Sequence, residues 1–426
     1  MNEMNANGGA LRGDCPWYVE RREDSLVLDR LAQGKTCYVL TTHQMGKSSL
    51  VVRLLDNFRA NRISAAAIDL AAIGCEVDAS QWYNALALRV ARQLGFEDEM
   101  DAFCTSHRYL PPFERFSKAL THLALRTLPG PLILSIDEAD LLRSLPFSPD
   151  ELLGTIHDAA VRSGLPGSAP SRLVFCLFAT VPPAGLWRQA VPGACELGQI
   201  IPLRDFDHEE LFGVIDGVAG CLLQRNELPT PTFLPELQFV LGEILERVFH
   251  WTNGHPYLTQ KLACAATQWL DHEISHLDDI TSEECRQLVD DLCERLFSSR
   301  TAPDQDFHLL WVRHKLLSSG LAAPRLFEIL QRVRQGACVR FADDGDCEKL
   351  ILSGAVCVRD GYLELRNRIY GRVFDGPWLF NCLQATLPQP RPSRKTPATT
   401  RIKEVLLGKA SDIYANILCA AIDCAF

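Results

Sequence analysis

The sequence predicts an α/β protein in which a doubly wound parallel sheet is followed by a small helical domain and a winged-helix domain. Short β-rich runs alternate with longer helical patterns over residues 17–205, which is typical of a parallel sheet covered by helices. Strand signals vanish over residues 206–278, and residues 279–384 combine helical patterns with one hairpin pattern. A chain of 426 residues is long enough for two to three domains with cores of their own.

The elements of the first domain follow from the periodicity of its apolar residues. Short apolar runs predict strands, and apolar residues spaced three to four apart predict helices. The predicted strands are residues 37–40, 65–70, 132–136, 173–179 and about 200–203. The predicted helices are residues 47–59, 80–94, 113–125 and 150–162. Residues 1–16 are polar and contain glycine, so we expect a flexible N-terminus before the sheet.

Two local motifs organise the remaining domains. Within "WTNGHPYLTQ", Gly254 suits the end of one helix and Pro256 suits the first turn of the next, as in a small helical domain. In "AVCVRDGYLELRNRIY", apolar and polar residues alternate on both sides of Asp360-Gly361, which is a strong hairpin signal. Residues 385–426 form a proline-rich basic linker and a short tail, which is either an amphipathic docking helix or an unstructured end.

Composition and charge narrow the range of functions. The chain is 47 % hydrophobic and has 43 basic against 53 acidic residues, a net charge of −10 that disfavours general attraction to nucleic acid or anionic membranes. Its 16 cysteines are scattered singly without zinc-ligand spacing, as in reduced cytosolic proteins. Because no apolar run reaches about 18 residues, we expect no membrane span and a cytoplasmic location.

A phosphate-binding loop is indicated by "YVLTTHQMGKSSLVVRLL", which combines a buried strand, a tight loop and the start of a helix. Gly46, Lys47 and Ser48 fill the last three positions of the pattern G-x-x-x-x-G-K-S/T. In such loops main-chain N–H groups hold phosphates, the lysine reaches the β- and γ-phosphates and the hydroxyl binds Mg²⁺. Thr41 replaces the first glycine of the pattern, but the later part that contacts the anion is intact, so we expect nucleotide binding.

The acids that such a loop requires follow another predicted strand, in "PLILSIDEAD". Asp137 is placed near the Mg²⁺ shell, and Glu138 is placed to orient or deprotonate a water molecule. The alternative for Asp137 is a cap of the following helix. Thr180 ends the strand "RLVFCLFAT" at the edge where open α/β sheets bind ligands, so it is placed to bond the γ-phosphate or the attacking water. Alternatively, Thr180 only opens the turn before Pro182.

A family resemblance rests on five segments that occur in this order: "YVERREDSLVLDRLAQGKTCYVLTTHQMGKSSL", "ILSIDEAD", "FATVPPAGLW", "NGHPYLTQKL" and "GYLELRNRIYGRVF". With them, residues 17–374 resemble the bacterial AAA-like domain of STAND-type P-loop NTPases. The resemblance implies a signalling switch with ATP and Mg²⁺ as cofactors. We expect it to hydrolyse ATP slowly in the presence of Mg²⁺. It also implies that the nucleotide lies between the α/β core and the helical lid, and that the protein self-associates or engages a protein effector in trans.

The resemblance carries over to single residues. The implied nucleotide-binding set consists of an upstream segment that lies along the adenine, the loop and a lid turn: Tyr18, Val19, Arg21, Gln44, Met45, Gly46, Lys47, Ser48, Ser49 and Pro256. The implied Mg²⁺ ligands are Ser48 and Asp137, and the implied catalytic residues are Glu138 and Thr180. For Pro256 the alternative is helix initiation alone.

Two other functions compete with a signalling switch, namely a DNA-associated ATPase and a nucleotide-binding scaffold with little turnover. Residues 281–350 contain ten basic and twelve acidic residues, and "DCEKLILSG" before the hairpin is acidic, whereas proteins that read the major groove need the reverse. Arg366 and Arg368 near the hairpin are expected to pair with Glu364 and neighbouring acids. DNA is therefore the less favoured partner.

Overall fold

The sheet of the first domain contains five strands that all pair in parallel. The computed structural model describes residues 10–11, 15–124, 128, 130–164, 172–188, 197–227, 230–273, 277, 280–298, 304–318, 323–342 and 345–386. The strands are β1 Cys37–Leu40, β2 Ser64–Asp69, β3 Leu132–Asp137, β4 Leu173–Ala179 and β5 Gln199–Pro202, in the order β2-β3-β4-β1-β5. Each predicted strand is confirmed to within one residue at either end.

Helices cover both faces of this sheet, as its nearly continuous apolar strands require. They are α1 Arg22–Ala32, α2 Lys47–Ala60, α3 Ala79–Leu94, α4 Glu97–Ser106, α5 Pro112–Ala119 and α6 Asp150–Gly164. One apolar cluster packs α1 and α2 on the sheet, and a second packs α3, α5 and α6 on the other face. The helix predicted for 113–125 is confirmed in part, since it continues from α5 as a π-helical turn, Leu120–Ala124. The sequence pattern assigned no helix to α1 or α4.

The next part of the chain is helical, as predicted. It contains α7 His208–Phe212, α8 Ile215–Arg225, α9 Thr230–Thr252 and α10 Pro256–Glu273. The predicted turn is confirmed, because α9 ends before Asn253 and Gly254, both at positive φ, and Pro256 begins α10. The main chain of this turn lies against the segment after β5, where Phe206 N–H donates to the Gly254 carbonyl at 2.9 Å.

Replacing Gly254 by Ala is expected to destabilise the protein by roughly 3 kcal/mol or more. Gly254 has φ 77°, and a Cβ there would overlap the carbonyl oxygen of Phe206 and lie 2.9 Å from its carbonyl carbon. Gly95 is the matched control, because it has φ 79° but nothing lies within 4 Å of an added Cβ. Gly95→Ala should cost only about 1 kcal/mol of backbone strain. Thermal unfolding measures both, and equal losses would contradict the close approach.

The C-terminal part combines helices with a small antiparallel sheet. Its elements are α11 Ser282–Cys293, α12 Phe307–Leu317, α13 Ala323–Arg334, β6 Val339–Arg340, α14 Gly345–Leu352, β7 Val356–Arg359, β8 Tyr362–Leu365, α15 Arg368–Val373 and α16 Gly376–Thr386. The strand order is β6-β8-β7. The predicted hairpin is confirmed, with Asp360 and Gly361 at positive φ between β7 and β8. The tail predicted for 385–426 lies outside the described residues after 386.

A single apolar core is shared by the helical and C-terminal parts. It extends from Phe206 to Cys382 and also includes Val19 from the N-terminal segment. Helix α9 packs against α8 and α10 and also against α11, on the far side of the boundary predicted at residue 278. The two parts also meet outside the core, where Asn253 in the α9–α10 turn donates to the carbonyl of Arg366 at 2.8 Å.

Candidate functional site

The loop between β1 and α2 begins at the carboxyl edge of the first sheet. Thr41 is buried, and its N–H donates to the carbonyl of Ala179 at 3.0 Å, which extends the pairing of β1 with β4. The turn occurs later, where Gln44 has φ 58° and Gly46, which precedes α2, has φ 78°. Glycine adopts this conformation readily, whereas Gln44 pays a conformational cost. The position of Thr41 therefore does not require the missing glycine.

Lys47 meets both acids that follow β3. Its Nζ lies 2.8 Å from Oδ1 of Asp137 and also pairs with Oε1 of Glu138. Burial lowers the pKa of Lys47, but the two carboxylates raise it more, so the lysine is a cation at neutral pH. Glu138 has φ 53°, an unfavourable conformation for a residue with a side chain. Two motifs about ninety residues apart in sequence thus form one cluster of charges.

The serines after Lys47 lie in the first turn of α2. Ser48 is exposed, so its hydroxyl is open to solvent beside the charged cluster. Ser49 Oγ accepts a hydrogen bond from the N–H of Leu11 at 2.9 Å, and Leu11 is buried. Leu11 therefore lies against the start of α2, while most of the N-terminus predicted to be flexible lies outside the described residues.

Thr180 lies at the same edge of the sheet, directly after β4. Its N–H donates to Oδ2 of Asp140 at 2.8 Å, and the N–H of Val181 donates to Oδ1 of Asp140 at 3.1 Å. Asp140 thus fixes the turn that presents Thr180, a role that the sequence reasoning missed. Its signal was the second aspartate of "DEAD", three positions after Asp137.

The segment before α1 also contacts the loop. Arg21 is buried, and its Nη1 donates to the carbonyl of Met45 at 2.8 Å. Tyr18 OH donates to Oδ2 of Asp24 at 2.9 Å, and Val19 is buried in the core of the helical part. The structure thus places Arg21 against the main chain of the loop, while the adenine contact of this segment stays a prediction.

The C-terminal part also reaches the loop, through Arg366. The expected pairing of Arg366 with Glu364 is wrong, because Glu364 lies on the exposed face of β8, beside Arg359 at 3.8 Å. Arg366 follows the end of β8 and is buried, with its Nε 2.9 Å from Oδ2 of Asp205. Its Nη1 donates to Thr42 Oγ1 at 2.8 Å, so the guanidinium lies at the loop. The other arginine of that expectation, Arg368, donates to the carbonyl of His250 at 2.7 Å.

Aromatic side chains add a second contact between the loop and the C-terminal part. The ring of His43 stacks on Trp311 of α12 with a centroid distance of 4.5 Å. Burial has the largest effect on His43 and lowers its pKa to about 4, so the ring is neutral at neutral pH.

Pro256, predicted to face the nucleotide, is buried at the start of α10 beside the buried His255. His255 in turn lies near His308 of α12, with ring centroids 4.7 Å apart.

The donor set at the loop suits Mg²⁺ bound together with phosphates. Within the described ranges, no group of three or more His, Cys, Asp or Glu side chains is arranged to hold a metal ion unaided. Mg²⁺ at nucleotide sites takes one or two protein oxygens and completes its shell with phosphates and water. The hydroxyl of Ser48 and the carboxylate of Asp137 provide oxygens of the required kind. Among the described helices, none has the length and apolarity needed to cross a membrane.

Comparison with known proteins identifies the segment that carries these groups. Residues 6–157 match the model of a family described as AAA-like domain, a span that includes the loop and the Asp137–Glu138 pair. The chain is 26 % identical over 385 residues to an uncharacterised WD repeat-containing protein of Synechocystis sp., covering 89 % of this chain and 31 % of that protein. It therefore spans about a third of the length of this curated relative.

Several solved structures align with 65–85 % of this chain at low sequence identity. A Walker-type ATPase of Pyrococcus abyssi has a TM-score of 0.49 and 15 % identity, with 84 % of this chain and 95 % of that chain covered. The ORC2 protein of Aeropyrum pernix in ADPNP–ADP complexes has a TM-score of 0.47 and 16 % identity, with 85 % and 92 % covered. Domain III of the replication initiation protein DnaA of Thermotoga maritima has a TM-score of 0.33 and 12 % identity, with 65 % and 94 % covered.

Proposed function

We propose that this protein is an ATP-binding signalling switch of the STAND type with slow Mg²⁺-dependent hydrolysis. The observation that carries the proposal is the position of Lys47, at the start of α2 and between the carboxylates of Asp137 and Glu138. Phosphoryl transfer from ATP to water needs a cation for the phosphates, a carboxylate for the metal shell and a group that positions the water. All three kinds of group meet here at one edge of the sheet.

The side chains divide these tasks by their chemistry. Lys47 would neutralise the β- and γ-phosphates, while Ser48 and Asp137 would hold Mg²⁺, which would supply positive charge to the phosphates. Glu138 orients the attacking water, and Thr180 bonds the γ-phosphate or that water. Because Lys47 now pairs with both acids, ATP binding must draw the ammonium toward the phosphates, and this frees Glu138 for water.

The rest of the proposed nucleotide site surrounds the loop. Tyr18, Val19 and Arg21 belong to the segment that would line the adenine, and Pro256 to the turn that would face the nucleotide. Support comes from proximity, since Arg21 bonds the loop carbonyl and Leu11 bonds Ser49. The choice of ATP over other nucleotides rests on the family resemblance.

A switch requires that the state of the loop be communicated to another part of the chain. The contacts of Arg366 with Thr42 and of Trp311 with His43 support this role, since both join the C-terminal part to the loop. We infer that residues 279–384 are a winged-helix domain, because helices α12, α13 and α14 are followed by the β7–β8 hairpin. The proposed partner is a second copy of the chain or a protein effector.

DNA is less favoured as the partner of the proposed winged-helix domain. The hairpin has a turn of only two residues, Asp360 and Gly361. Of its nearby arginines, Arg366 is buried against the loop, and Arg359 lies near Glu364. The positive charge of these two arginines is therefore engaged within the protein and is less available for phosphates of DNA.

The proposal is tested by titrating the protein with ATP in Mg²⁺ or EDTA by calorimetry and by measuring its mass by light scattering under the same conditions. We expect saturable binding that Mg²⁺ strengthens, slow phosphate release, and a change of mass or shape with ATP. Absence of binding would refute the proposal. Binding without release or change of mass would support the scaffold alternative.

A further inference from the structure

Two buried arginines converge on Met45, the loop residue before Gly46. Met45 is fully buried, with 0 % of its surface exposed. Arg21 Nη1 donates to the Met45 carbonyl at 2.8 Å, and Arg366 Nη2 lies 3.0 Å from the Met45 sulfur. One guanidinium therefore contacts the main chain of the loop, and the other contacts the side chain of the same residue.

Each guanidinium is held in place by an aspartate. Arg21 Nε lies 3.3 Å from Oδ1 of Asp24, and Arg366 Nε lies 2.9 Å from Oδ2 of Asp205. Both arginines are less than a tenth exposed. A buried guanidinium that also pairs with a carboxylate has few alternative positions, so it holds the groups that it contacts in a defined place.

The two arginines come from opposite ends of the chain. Arg21 precedes α1, whereas Arg366 follows β8 and is separated from Met45 by 321 positions. Arg366 also bonds Thr42, and Trp311 stacks on His43. The C-terminal part thus contacts the side chains of three loop residues, Thr42, His43 and Met45.

The loop has a specific need for such support. Gln44, between His43 and Met45, has φ 58°, which costs on the order of 1–3 kcal/mol for a residue with a side chain. Such a conformation persists only where the surroundings hold it. A guanidinium carries only hydrogen-bond donors, so neither arginine can accept a hydrogen bond from the main-chain N–H groups of the loop. Those groups stay available to a phosphate.

We propose that Arg21 and Arg366 are positioning residues of the phosphate-binding loop, and that the loop has its phosphate-binding shape only while the C-terminal part is docked on it. This inference rests on the proposed function and adds the way in which that site is regulated. Since coupling between two binding events is reciprocal, bound nucleotide also strengthens the docking of the C-terminal part.

The test compares variants of the full chain for binding of a non-hydrolysable ATP analogue with Mg²⁺. Arg366→Gln is expected to weaken binding by about tenfold or more, the loss typical of one charge-assisted hydrogen bond. Arg366→Lys should recover part of the affinity, because its ammonium can still pair with Asp205 but cannot reach both Thr42 and Met45. Arg21→Gln should also weaken binding. Arg368→Gln is the control, and it should bind as the wild type does.

A second variant keeps the test decisive if Arg366→Gln fails to fold because Asp205 is left unpaired. Trp311→Leu removes the stacking on His43 without leaving a buried charge, and it is also expected to weaken binding. Hydrogen exchange of α12 should slow when wild-type protein binds the analogue. If the Arg366→Gln and Trp311→Leu proteins fold and bind the analogue with wild-type affinity, this inference is wrong, but the proposed function stands. A wild-type protein that binds no nucleotide would overturn the proposed function as well.

Discussion

Replacing Lys47 by Ala is expected to lower the affinity for Mg²⁺-ATP by about a hundredfold or more and to stop phosphate release. The substitution removes the cation that lies 2.8 Å from Asp137 and pairs with Glu138. It therefore removes the charge that would neutralise the phosphates. It also leaves two carboxylates without their counter-charge, and these then repel the phosphates. Calorimetric titration and a phosphate-release assay measure the two effects.

The control for this variant is Lys118→Ala. Lys118 lies on α5 in an exposed pair with Glu114, where such pairs contribute little to stability. Its removal should leave ATP binding and release unchanged. Thermal unfolding must show that the Lys47 variant is folded at the assay temperature. A folded Lys47→Ala protein that bound ATP as tightly as the wild type would exclude this loop as the nucleotide site.

Replacing Glu138 by Gln is expected to slow phosphate release by about a hundredfold or more while ATP binding is retained or becomes tighter. Glutamine keeps the size of the side chain but cannot accept a proton from water as a carboxylate does. It also removes a negative charge that pairs with Lys47, so the ammonium is freer to bind phosphate. Single-turnover release, measured with binding on the same samples, separates the two effects.

Glu151→Gln provides the comparison for this second variant. Glu151 is exposed in the first turn of α6, and its replacement should not change the rate. Equal release by wild type and Glu138→Gln would take Glu138 out of the hydrolytic step. Together with normal binding, that outcome would leave a nucleotide-binding scaffold as the better description of the protein.

Strands β1, β3 and β4 were predictable from sequence because nearly all of their residues, which alternate between the two faces of the sheet, are buried. Such strands are short apolar runs bounded by polar residues, and their chemistry-bearing residues follow the carboxyl ends. This rule also explains why Lys47 and Asp137 were expected to meet. The π-helical turn after α5 was not predictable, because a run of apolar residues at helical spacing does not distinguish one helical hydrogen-bond pattern from another.

The contacts of the loop with the rest of the chain were beyond the reach of local patterns. Arg366 was assigned to Glu364, two positions away, whereas its partner Asp205 is 161 positions away. Nothing in the hairpin sequence distinguishes a solvated arginine from one that turns inward at the end of a strand. Arg21 was recognised only through the family resemblance, and its bond to the Met45 carbonyl depends on how the segment before α1 folds back.

The apolar core shared by the helical and C-terminal parts has a consequence for modularity. Because α9 packs against α11 within that core, cutting the chain near residue 278 would separate two helices whose side chains pack together. The cut would expose apolar side chains of α9 and α11 that lie in the shared core. We therefore expect that the helical part does not fold without the C-terminal part. A recombinant protein that keeps this core intact must include the chain through α16.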